Sequence, residues 1–456
     1  MKIELRQVPT PTFSFPQEDI PLIPKAEYER RLKTLYETAG CDWVAVYGDR
    51  EHFANLAFLV NYDPRFEEGL LLLGPGETRC LLVGNEGLGY TPIVPVAVQV
   101  VLCQTFSLPG QQRDTAPRLL DVLREVGIRA GGRIGVVGWK YLEADETDDT
   151  VTPAFVPAFL VDMLRRLAGG EGAVLDVTAA MLHPEKGLRT QNTVDQIAAF
   201  EWAARTCSAA VFNVLRHARP GLSEGEAINR INFTGAPFTM HPIIVSGKGE
   251  VLGLRSAGTR RLEYGDAVST AVGYWGSLCC RAGMLLGEVD DNFFQKIVEP
   301  YYRVIATWYQ NMAIGAQGGD IFRAVSEAFA GSALRSALNP GHLTSLDEWL
   351  HSPIRPGSSE QIASGMVFQA DIIPTPLPTG YLLNCEDTIA IGDAALRADI
   401  QVKFPALWQR IETRRRMMIE DLGLQLADEI LPLSDGAAYL PPFWLAHDLV
   451  CTVARW

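Results

Sequence analysis

Two carboxylates in one short stretch of the sequence are the best candidates for chemistry. Asp371 interrupts the apolar segment Met366 to Ile373, and Glu386 interrupts the segment Tyr381 to Ile391. Both segments alternate like strands, and the Pro/Gly/Thr-rich connection between them predicts an antiparallel pair. Acids inside buried strands need partners. They either accept hydrogen bonds that only fix the sheet, or form a site as metal ligands or as an acid/base pair. Spacing alone favours the structural role, because structural ion pairs are common.

The whole-chain composition is that of an ordinary globular protein. Its 456 residues are enough for two or three domains, and 47% of them are hydrophobic and 21% charged. The net charge of -14 argues against nucleic acid or an anionic membrane as a partner. The one basic run, Arg414 to Arg416, is short and flanked by acids, which indicates a solvated helix face.

Neither a membrane span nor a disulfide framework is expected. The apolar runs are strand-sized and the first residues, MKIELRQVPTPTF, lack the apolar core of a signal peptide, so the sequence predicts a cytoplasmic protein without a membrane partner. The 8 cysteines follow neither a disulfide nor a CxxC zinc pattern and are expected to be reduced. For the adjacent Cys279 and Cys280, a buried apolar role is favoured over a nucleophilic one.

The order of predicted elements divides the chain into two main domains. Strands and helices alternate over residues 1–170, which predicts an α/β domain, and residues 171–192 form a linker. Residues 193–400 begin with a long helical pattern and a capping box in LSEGEAI, and continue with strands and further helices, which predicts an α+β domain. Residues 401–456 are expected to form a helix and an apolar tail packed on the body.

Several sequence blocks follow one another in an order that resembles the creatinase/prolidase/methionine aminopeptidase family. In the second domain these blocks are TVDQIAAFEWAAR, ARPGLSEGEAI, GDAVSTAV, NPGHLTSLDEW, GMVFQADIIP and NCEDTIAI. In the first domain, YERRLKTLYETAGCDWVAVYG and HFANLAFLV are similar to the N-terminal domain of that family. The resemblance extends to about residue 392. It implies an α/β N-terminal domain of creatinase/prolidase type followed by an α+β pita-bread C-terminal domain.

The resemblance also implies which residues would hold metal. Metal-dependent members of the family hold two divalent ions with two Asp, one His and two Glu. The His falls on His342 and the two Glu on Asp371 and Glu386, but Ala271 and Leu278 stand where the two Asp are expected. Divalent ions need several charged ligands, so we expect no tightly held dinuclear site and no cofactor. A single divalent ion such as Zn²⁺ on the three remaining residues is the alternative.

Other pocket positions of the family differ in this chain. Leu254 and Trp349 stand where relatives have His, so the mechanism of creatinase, which is metal-free, does not carry over directly. Arg65 in NYDPRF resembles the Arg that creatinase-like members extend into a partner subunit's pocket to bind a substrate carboxylate; an exposed surface Arg is the alternative. The resemblance implies a homodimer, and the apolar, aromatic C-terminal tail is a candidate for its interface.

The remaining polar residues predict proton-transfer chemistry. Without a cation between them, Asp371 and Glu386 cannot both ionise cheaply, so one of them should be protonated near neutral pH. If His342 points into the same pocket, as the resemblance implies, it can supply or receive a proton. His241, at the start of HPIIVSG, is a second candidate imidazole, with a structural role at a strand edge as the alternative.

Two arginines are candidates for binding an anionic group of the substrate. These are Arg255 and Arg281, and for Arg281 a core salt bridge to Asp371 or Glu386 is an equal alternative. The leading hypothesis is a metal-independent hydrolase that cleaves a C–N bond of a small polar or amino-acid-like molecule. The alternatives are a catalytically inactive family member that binds peptide or protein, and an Xaa-Pro aminopeptidase or prolidase-type metallopeptidase acting on short peptides.

Overall fold

The computed structural model describes residues 1–143, 146–147, 153–249 and 253–454. The chain forms two compact units, one made of Ile23–Arg189 and the other of Met1–Leu22 together with Thr190–Trp456. Residues 1–22 were expected in the N-terminal domain, but they belong to the unit that contains Thr190–Trp456. The reason is that Ile3–Gln7 pairs with Leu449–Val453. The last two residues of the predicted tail lie outside the described residues.

The order of strands and helices sets which segments meet in each unit. The strands are β1 (Ile3–Gln7), β2 (Trp43–Gly48), β3 (Gly69–Gly74), β4 (Thr78–Val83), β5 (Gln99–Leu102), β6 (Ile134–Val137), β7 (Val174–Asp176), β8 (Ile243–Gly247), β9 (Ala267–Tyr274), β10 (Ser277–Met284), β11 (Arg335–Ser336), β12 (His342–Leu343), β13 (Val367–Gln369), β14 (Pro374–Thr375), β15 (Asn384–Glu386), β16 (Thr388–Ile391), β17 (Ile430–Pro432) and β18 (Leu449–Val453). The helices are α1 (Lys25–Ala39), α2 (Ala54–Val60), α3 (Leu119–Glu125), α4 (Ala158–Ala168), α5 (Ala179–Leu182), α6 (Val194–His217), α7 (Glu224–Ile228), α8 (Asp291–Phe293), α9 (Glu299–Asn311), α10 (Gly318–Ala328), α11 (Ala394–Lys403) and α12 (Pro405–Arg416). None of the helices in the described ranges is long and apolar enough to cross a bilayer.

The unit Ile23–Arg189 is built on one mixed sheet. Its six strands have the order β5-β4-β3-β2-β6-β7, with antiparallel pairing in the β2–β3–β4 ribbon and parallel pairing elsewhere. Strands β2 and β3 are buried along their whole length. Apolar residues of these strands pack with residues of α3 and α4 in one core cluster. The predicted α/β class of this part of the chain is confirmed.

The other unit contains two antiparallel sheets that position the site. One has the strand order β15-β10-β9-β8 and the other the order β12-β13-β16-β17. Helix α6, the predicted long helix, begins after Thr193, whose side chain accepts a hydrogen bond from the backbone N–H of Gln196, and packs on β9 and β10. The predicted capping box of Ser223 and Glu226 is also present. Helices packed on antiparallel sheets confirm the predicted α+β class.

The predicted pairing around the two acids is correct only in part. The two segments do meet, because β13 pairs antiparallel with β16. Glu386, however, lies on β15, which pairs with β10 in the neighbouring sheet. Asp371 follows the end of β13. The two acids therefore come together where the two sheets adjoin, and not across one two-stranded ladder.

The C-terminal segment is an integral part of its unit. Strand β17 adds to β16, and β18 pairs with β1. The prediction that the basic run forms a solvated helix face is wrong for Arg414, which is buried with its guanidinium bound to Glu201 and Asp435. A long guanidinium side chain can be buried when carboxylates satisfy its fork of donors.

Candidate active site

A row of four residues crosses the β8–β9–β10–β15 sheet on the face that carries the candidate site. Ile243 lies opposite Ala271, Ala271 opposite Cys280, and Cys280 opposite Glu386. Directly opposed residues of antiparallel strands project to the same side of a sheet. Ile243, Ala271, Cys280 and the nearby Leu278 pack in one apolar cluster. Glu386 is therefore the acidic end of an otherwise apolar row.

Three potential ligand or proton-transfer groups meet at that end. One donor atom each of His342, Asp371 and Glu386 lies within 4.8 Å of the others. His342 is on β12, which pairs with β13 so that His342 faces Gln369, two residues before Asp371. All three residues are buried. The structure thus brings together the three residues that the sequence singled out most strongly.

The glycine of the PGH sequence is needed to place His342. Gly341 has a φ of +89°, and a Cβ there would lie 2.9 Å from the indole nitrogen of Trp308 and 3.0 Å from the carbonyl oxygen of Gln369. That indole donates to the carbonyl oxygen of Pro340 at 2.8 Å. Only glycine allows this backbone conformation together with such close packing.

The imidazole of His342 has a hydrogen-bond partner at Nδ1, carboxylates within ion-pair distance of Nε2 and an aromatic ring on one face. Nδ1 lies 3.1 Å from the carbonyl oxygen of Leu343, which as an acceptor places the proton on Nδ1. Nε2 lies 2.9 Å from Oε1 of Glu348 and 4.0 Å from Oδ2 of Asp371. The indole of Trp349 stacks on the ring with the centroids 4.1 Å apart. Nε2 is therefore the nitrogen that faces the acids.

The pKa of each of these three groups lies above its ordinary value. Burial raises the pKa of Glu386 well above its usual range, and the charges of Asp371, Glu348 and Asp387 raise it further. Burial also raises the pKa of Asp371, although His342 opposes that shift. For His342, burial lowers the pKa, but Glu348 and Asp371 outweigh it and the net shift is upward. Each group of the cluster therefore keeps its proton to a higher pH than the same side chain in water does.

Arg281 does not reach the candidate site, which corrects its assignment as a substrate-binding residue. Its side chain is fully buried, and its guanidinium binds Asp387 at 2.8 Å and the carbonyl oxygens of Gly436 and Tyr439. Arg281 neighbours Cys280 on β10, and successive strand residues project to opposite faces. The salt bridge foreseen as the alternative exists, but its partner is Asp387, not Asp371 or Glu386.

Arg255 and His241 are also occupied elsewhere. The guanidinium of Arg255 donates to both carboxylate oxygens of Glu224 at 2.9 Å. Glu224 is fully buried and also accepts from the backbone of Ser246. His241 is exposed, with Nε2 lying 3.0 Å from the carbonyl oxygen of Leu254. Neither residue joins the cluster around His342, because Arg255 is bound to Glu224 of α7 and the ring of His241 lies beside the carbonyl of Leu254.

Arg65 lies in the other unit, in a local cluster of its own. Its Nε is 2.8 Å from Oδ2 of Asp63, and its Nη2 donates to the hydroxyl of Tyr90 at 3.2 Å. The side chain is 54% exposed. This placement fits the exposed surface arginine that was the alternative to a substrate-binding role.

The adjacent cysteines belong to the packed interior. Both thiols are buried, and neither forms a disulfide bond. Burial raises the pKa of Cys279 and of Cys280, and for Cys280 the charge of Glu386 raises it further. A nucleophilic role needs a thiolate, so the buried apolar role that the sequence favoured agrees with these surroundings.

The donor set does not fit a pair of metal ions. Ala271 and Leu278, which stand where the resemblance expects carboxylates, lie on the site face of the sheet within the apolar cluster. Neither side chain offers an oxygen or nitrogen to bridge two ions. The remaining imidazole and two carboxylates fit a single divalent ion, since their donor atoms lie close enough to share one.

Two functional candidates escaped the sequence reasoning. Glu348 supplies a carboxylate to His342, and Trp349 covers the imidazole. Both follow His342 within the block NPGHLTSLDEW. The only signal was an acid next to an aromatic residue at a position where the resemblance expects His. Spacing by itself did not show that the chain turns back on His342 there.

Comparison with known proteins bears on the fold. No family model matches the chain, and neither does any curated protein. Solved structures do match, among them a prolidase from Thermococcus sibiricus, with a TM-score of 0.62 and 18% identity over 82% of this chain and 95% of that one. A dipeptidase from Mycobacterium ulcerans matches with a TM-score of 0.61 and 18% identity over 81% and 94%. An X-Pro aminopeptidase from Thermotoga maritima matches with a TM-score of 0.60 and 14% identity over 80% and 95%.

These matches define the class of fold. The chain has the two-domain architecture of prolidases and X-Pro aminopeptidases, with a pita-bread C-terminal domain. The resemblance found in the sequence is thereby confirmed at the level of the fold, and the low identities mark the chain as a divergent example of it. The match reaches about four fifths of this chain, while almost the full length of each solved structure is covered.

Proposed function

We propose that this protein is a hydrolase that cleaves a C–N bond of a small polar or amino-acid-like substrate without a pair of metal ions. The observation that carries the proposal is the meeting of His342, Asp371 and Glu386 in one buried cluster. Beside it, Ala271 and Leu278 leave no carboxylates to hold a second ion. The solved structures that share the fold include dipeptidases and aminopeptidases, which supports an amide or peptide-like bond as the target.

The two carboxyl groups would have different roles in this reaction. Hydrolysis adds the hydroxyl of water to carbon and a proton to the leaving nitrogen. Glu386, whose pKa is raised by burial and by the charge of Asp371, is the proton donor to that nitrogen. Asp371, next to the imidazole of His342, accepts the proton of the attacking water. Environments that separate the protonation of two acids in this way suit acid/base catalysis.

A single-metal hydrolase is the second candidate, and the spacing of the three donors favours it. His342, Asp371 and Glu386 would hold the ion, which would supply Lewis acidity to the scissile carbonyl when bound. Glu348 competes for the same imidazole nitrogen, because its carboxylate lies 2.9 Å from Nε2. An imidazolium between carboxylates needs no metal, which is why the metal-free reaction is preferred.

The test is a substrate screen on protein of known metal content. Purified protein, with metal measured by mass spectrometry before and after chelation, is assayed on dipeptides, amides and ureido or guanidino compounds. We expect turnover that survives chelation and is lost in His342→Ala and Asp371→Asn, with the circular dichroism spectrum retained. His241→Ala is the matched control and should keep its activity, because that ring is exposed and lies beside the carbonyl of Leu254.

Each other outcome removes one proposal. Loss of turnover on chelation, with recovery on adding one equivalent of Zn²⁺ or Mn²⁺, would replace the metal-free mechanism by the single-metal one. Turnover that persists in His342→Ala would place the chemistry elsewhere. Binding of peptides without turnover of any compound would indicate a catalytically inactive binder.

A homodimer, proposed from the sequence resemblance, is tested separately by light scattering.

A further inference from the structure

A polar cavity lies between α6, α12 and the segment of residues 9–14. Its volume of about 650 Å³ is within the range of small-molecule sites. Its wall carries side-chain hydroxyls, among them those of Thr10, Thr12 and Thr413. The cavity shares no residue with the cluster around His342, and α12 lies beyond residue 392, where the family resemblance ends. It is therefore a separate candidate site that the resemblance does not predict.

One arginine that lines this cavity has most of its hydrogen-bond donors open. The side chain of Arg205 is only 10% exposed, and its Nη1 donates to the carboxylate of Glu18. Among the residues that the structure describes, its Nε and Nη2 have no acceptor. Arg414, on the same cavity, differs in that all three of its nitrogens donate, chiefly to Glu201 and Asp435. The open edge of Arg205 is therefore available to a ligand in the cavity.

The open edge has the geometry that binds an anion. Nε and Nη2 of a guanidinium are the fork that holds a carboxylate or a phosphate through two parallel hydrogen bonds. The neighbouring Arg410 uses its fork in this way, since its Nε and Nη2 each donate to Glu201 at 2.8 Å. Glu201 lies one helical turn before Arg205 on α6. The fork of Arg205 therefore has the guanidinium of Arg410 as a second cationic group nearby.

The charges around the cavity leave Arg205 with the weakest pairing. The buried acids Glu201 and Asp435 are bound to the arginines of α12. Arg205 pairs with Glu18, whose side chain is 51% exposed and which lies in residues 8–24, a stretch without helix or strand. Asp421 also lines the cavity but lies beyond ion-pair distance of Arg205. An ion pair with an exposed partner contributes little, so the charge of Arg205 remains available to an anion.

We infer that the open fork of Arg205 binds the carboxylate or phosphate group of a small hydroxylated anion in this cavity. The two N–H donors hold the anionic oxygens, and the hydroxyls of Thr10, Thr12 and Thr413 form hydrogen bonds with the rest of the ligand. Binding at this place does not depend on the proposed hydrolase activity, because the cavity includes none of the residues assigned to that reaction.

The test uses small probes that differ in charge. Full-length protein, freed of metal by chelation, is titrated with sodium malate, glycerol phosphate, glycerol and choline chloride, and binding is followed on the ligand by NMR. We expect saturable binding of at least one of the two anions, and this binding should weaken with added salt. Glycerol and choline should not bind, because neither supplies an anionic oxygen. Comparison of malate with glycerol phosphate shows whether the arginine holds a carboxylate or a phosphate.

Variants locate the binding. Arg205→Gln should weaken it by at least about tenfold, the order expected for loss of a charge-assisted pair of hydrogen bonds. Arg205→Lys should also weaken it, because an ammonium keeps the charge but has no fork. Glu18→Gln should strengthen it by about threefold, since an acid beside the bound anion is removed. Arg416→Gln removes an exposed arginine of α12 that does not line the cavity, and this matched control should bind as the wild type does. Circular dichroism confirms that each variant is folded.

The outcomes separate this site from the candidate active site. Absence of saturable binding of both anions overturns the inference, and so does binding that Arg205→Gln leaves unchanged. Binding that is lost in His342→Ala but kept in Arg205→Gln also overturns it, because the anion would then occupy the candidate active site. Binding that is lost in Arg205→Gln and kept in His342→Ala sustains the inference, whether or not the protein turns over a C–N compound.

Discussion

Glu386 and Asp387 are neighbours in the chain, but their carboxylates serve opposite sides of the sheet. Glu386 lies in the cluster with His342, whereas Asp387 binds the guanidinium of Arg281 at 2.8 Å. Successive residues of an extended segment project to opposite faces. One carboxylate is therefore available for chemistry, while the adjacent one is committed to holding the fold.

The ion pair on the interior side should determine stability. Arg281→Ala leaves the carboxylate of Asp387 buried without its partner, so we expect the free energy of unfolding to fall by about 3–5 kcal/mol. Urea denaturation followed by circular dichroism measures the change. The control is Arg323→Ala, which breaks an ion pair between side chains that are 65% and 59% exposed and should cost less than about 1 kcal/mol. An Arg281→Ala variant that is as stable as the wild type and loses only substrate affinity would show that Arg281 binds the substrate.

The carboxylate on the site side should make stability depend on pH. Burial raises the pKa of Glu386, so the folded protein keeps a proton that the unfolded chain releases above its ordinary pKa of about 4.3. The contribution of Glu386 to stability is therefore fully present below that pH and is lost as pH rises through the folded-state pKa. His342, with its pKa also raised, contributes in the same direction.

Replacing Glu386 by a side chain that cannot ionise should remove this loss. In metal-free protein we expect Glu386→Gln to be more stable than the wild type at pH 8 by at least about 1 kcal/mol, since each unit of pKa shift corresponds to about 1.4 kcal/mol. The difference should shrink toward pH 4. Urea unfolding at a series of pH values measures it. A gap that does not change with pH would show that Glu386 ionises freely in the folded state.

Restoring the absent carboxylates should create affinity for metal. Ala271 and Leu278 lie on the same face as Glu386, so Ala271→Asp combined with Leu278→Asp places two more carboxylates on that face. We expect Mn²⁺ to bind at least about tenfold more tightly than to the wild type, because hard ions gain affinity with ligand charge. Isothermal titration calorimetry measures the affinity. The Ala271→Asn, Leu278→Asn variant controls for the disturbance of the apolar cluster, and equal affinity in the Asp and Asn variants would contradict the prediction.

The backbone that carries His342 should tolerate no side chain at Gly341. A Cβ would lie 2.9 Å from the Trp308 indole nitrogen. Gly341→Ala should therefore lower the free energy of unfolding by about 1–3 kcal/mol more than the strain of the positive φ alone would. Gly331→Ala isolates that strain, because Gly331 has a similar φ of +84° and no atom within 4 Å of its added Cβ. Thermal and urea unfolding of both variants measures the difference. Equal losses would mean that the contact with Trp308 does not matter.

The local patterns of the chain predicted its elements and its fold class. Helical periodicity after Thr193 and the capping box at Ser223 describe helices that exist at those places. The order of the sequence blocks was enough to identify the pita-bread fold and to single out His342, Asp371 and Glu386, because these residues stand in short segments with recognisable neighbours. Patterns of this kind are local, so they survive where the remainder of the sequence has diverged.

The roles of the charged residues depended on contacts that spacing does not show. Arg281 was a candidate for substrate binding, but the side of β10 on which it lies decides that it pairs with Asp387. Arg255 is bound by Glu224, which is distant in sequence. Glu348 reaches His342 only because the chain returns past β12. Adjacent residues of a strand lie on opposite faces, so a shift by one position decides whether a charged side chain meets solvent, substrate or the core.

The sequence by itself therefore determined the class of fold, the identity of the three central polar residues and the absence of carboxylates at Ala271 and Leu278. Tertiary structure alone decided which charges surround those residues. The return of the chain past β12 brings Glu348 and Trp349 to His342. The side of β10 on which Arg281 lies turns its side chain into the interior. The physical reason is that residue types and periodicity act over a few positions, whereas burial, repulsion between acids and ion pairing depend on neighbours far away in the chain.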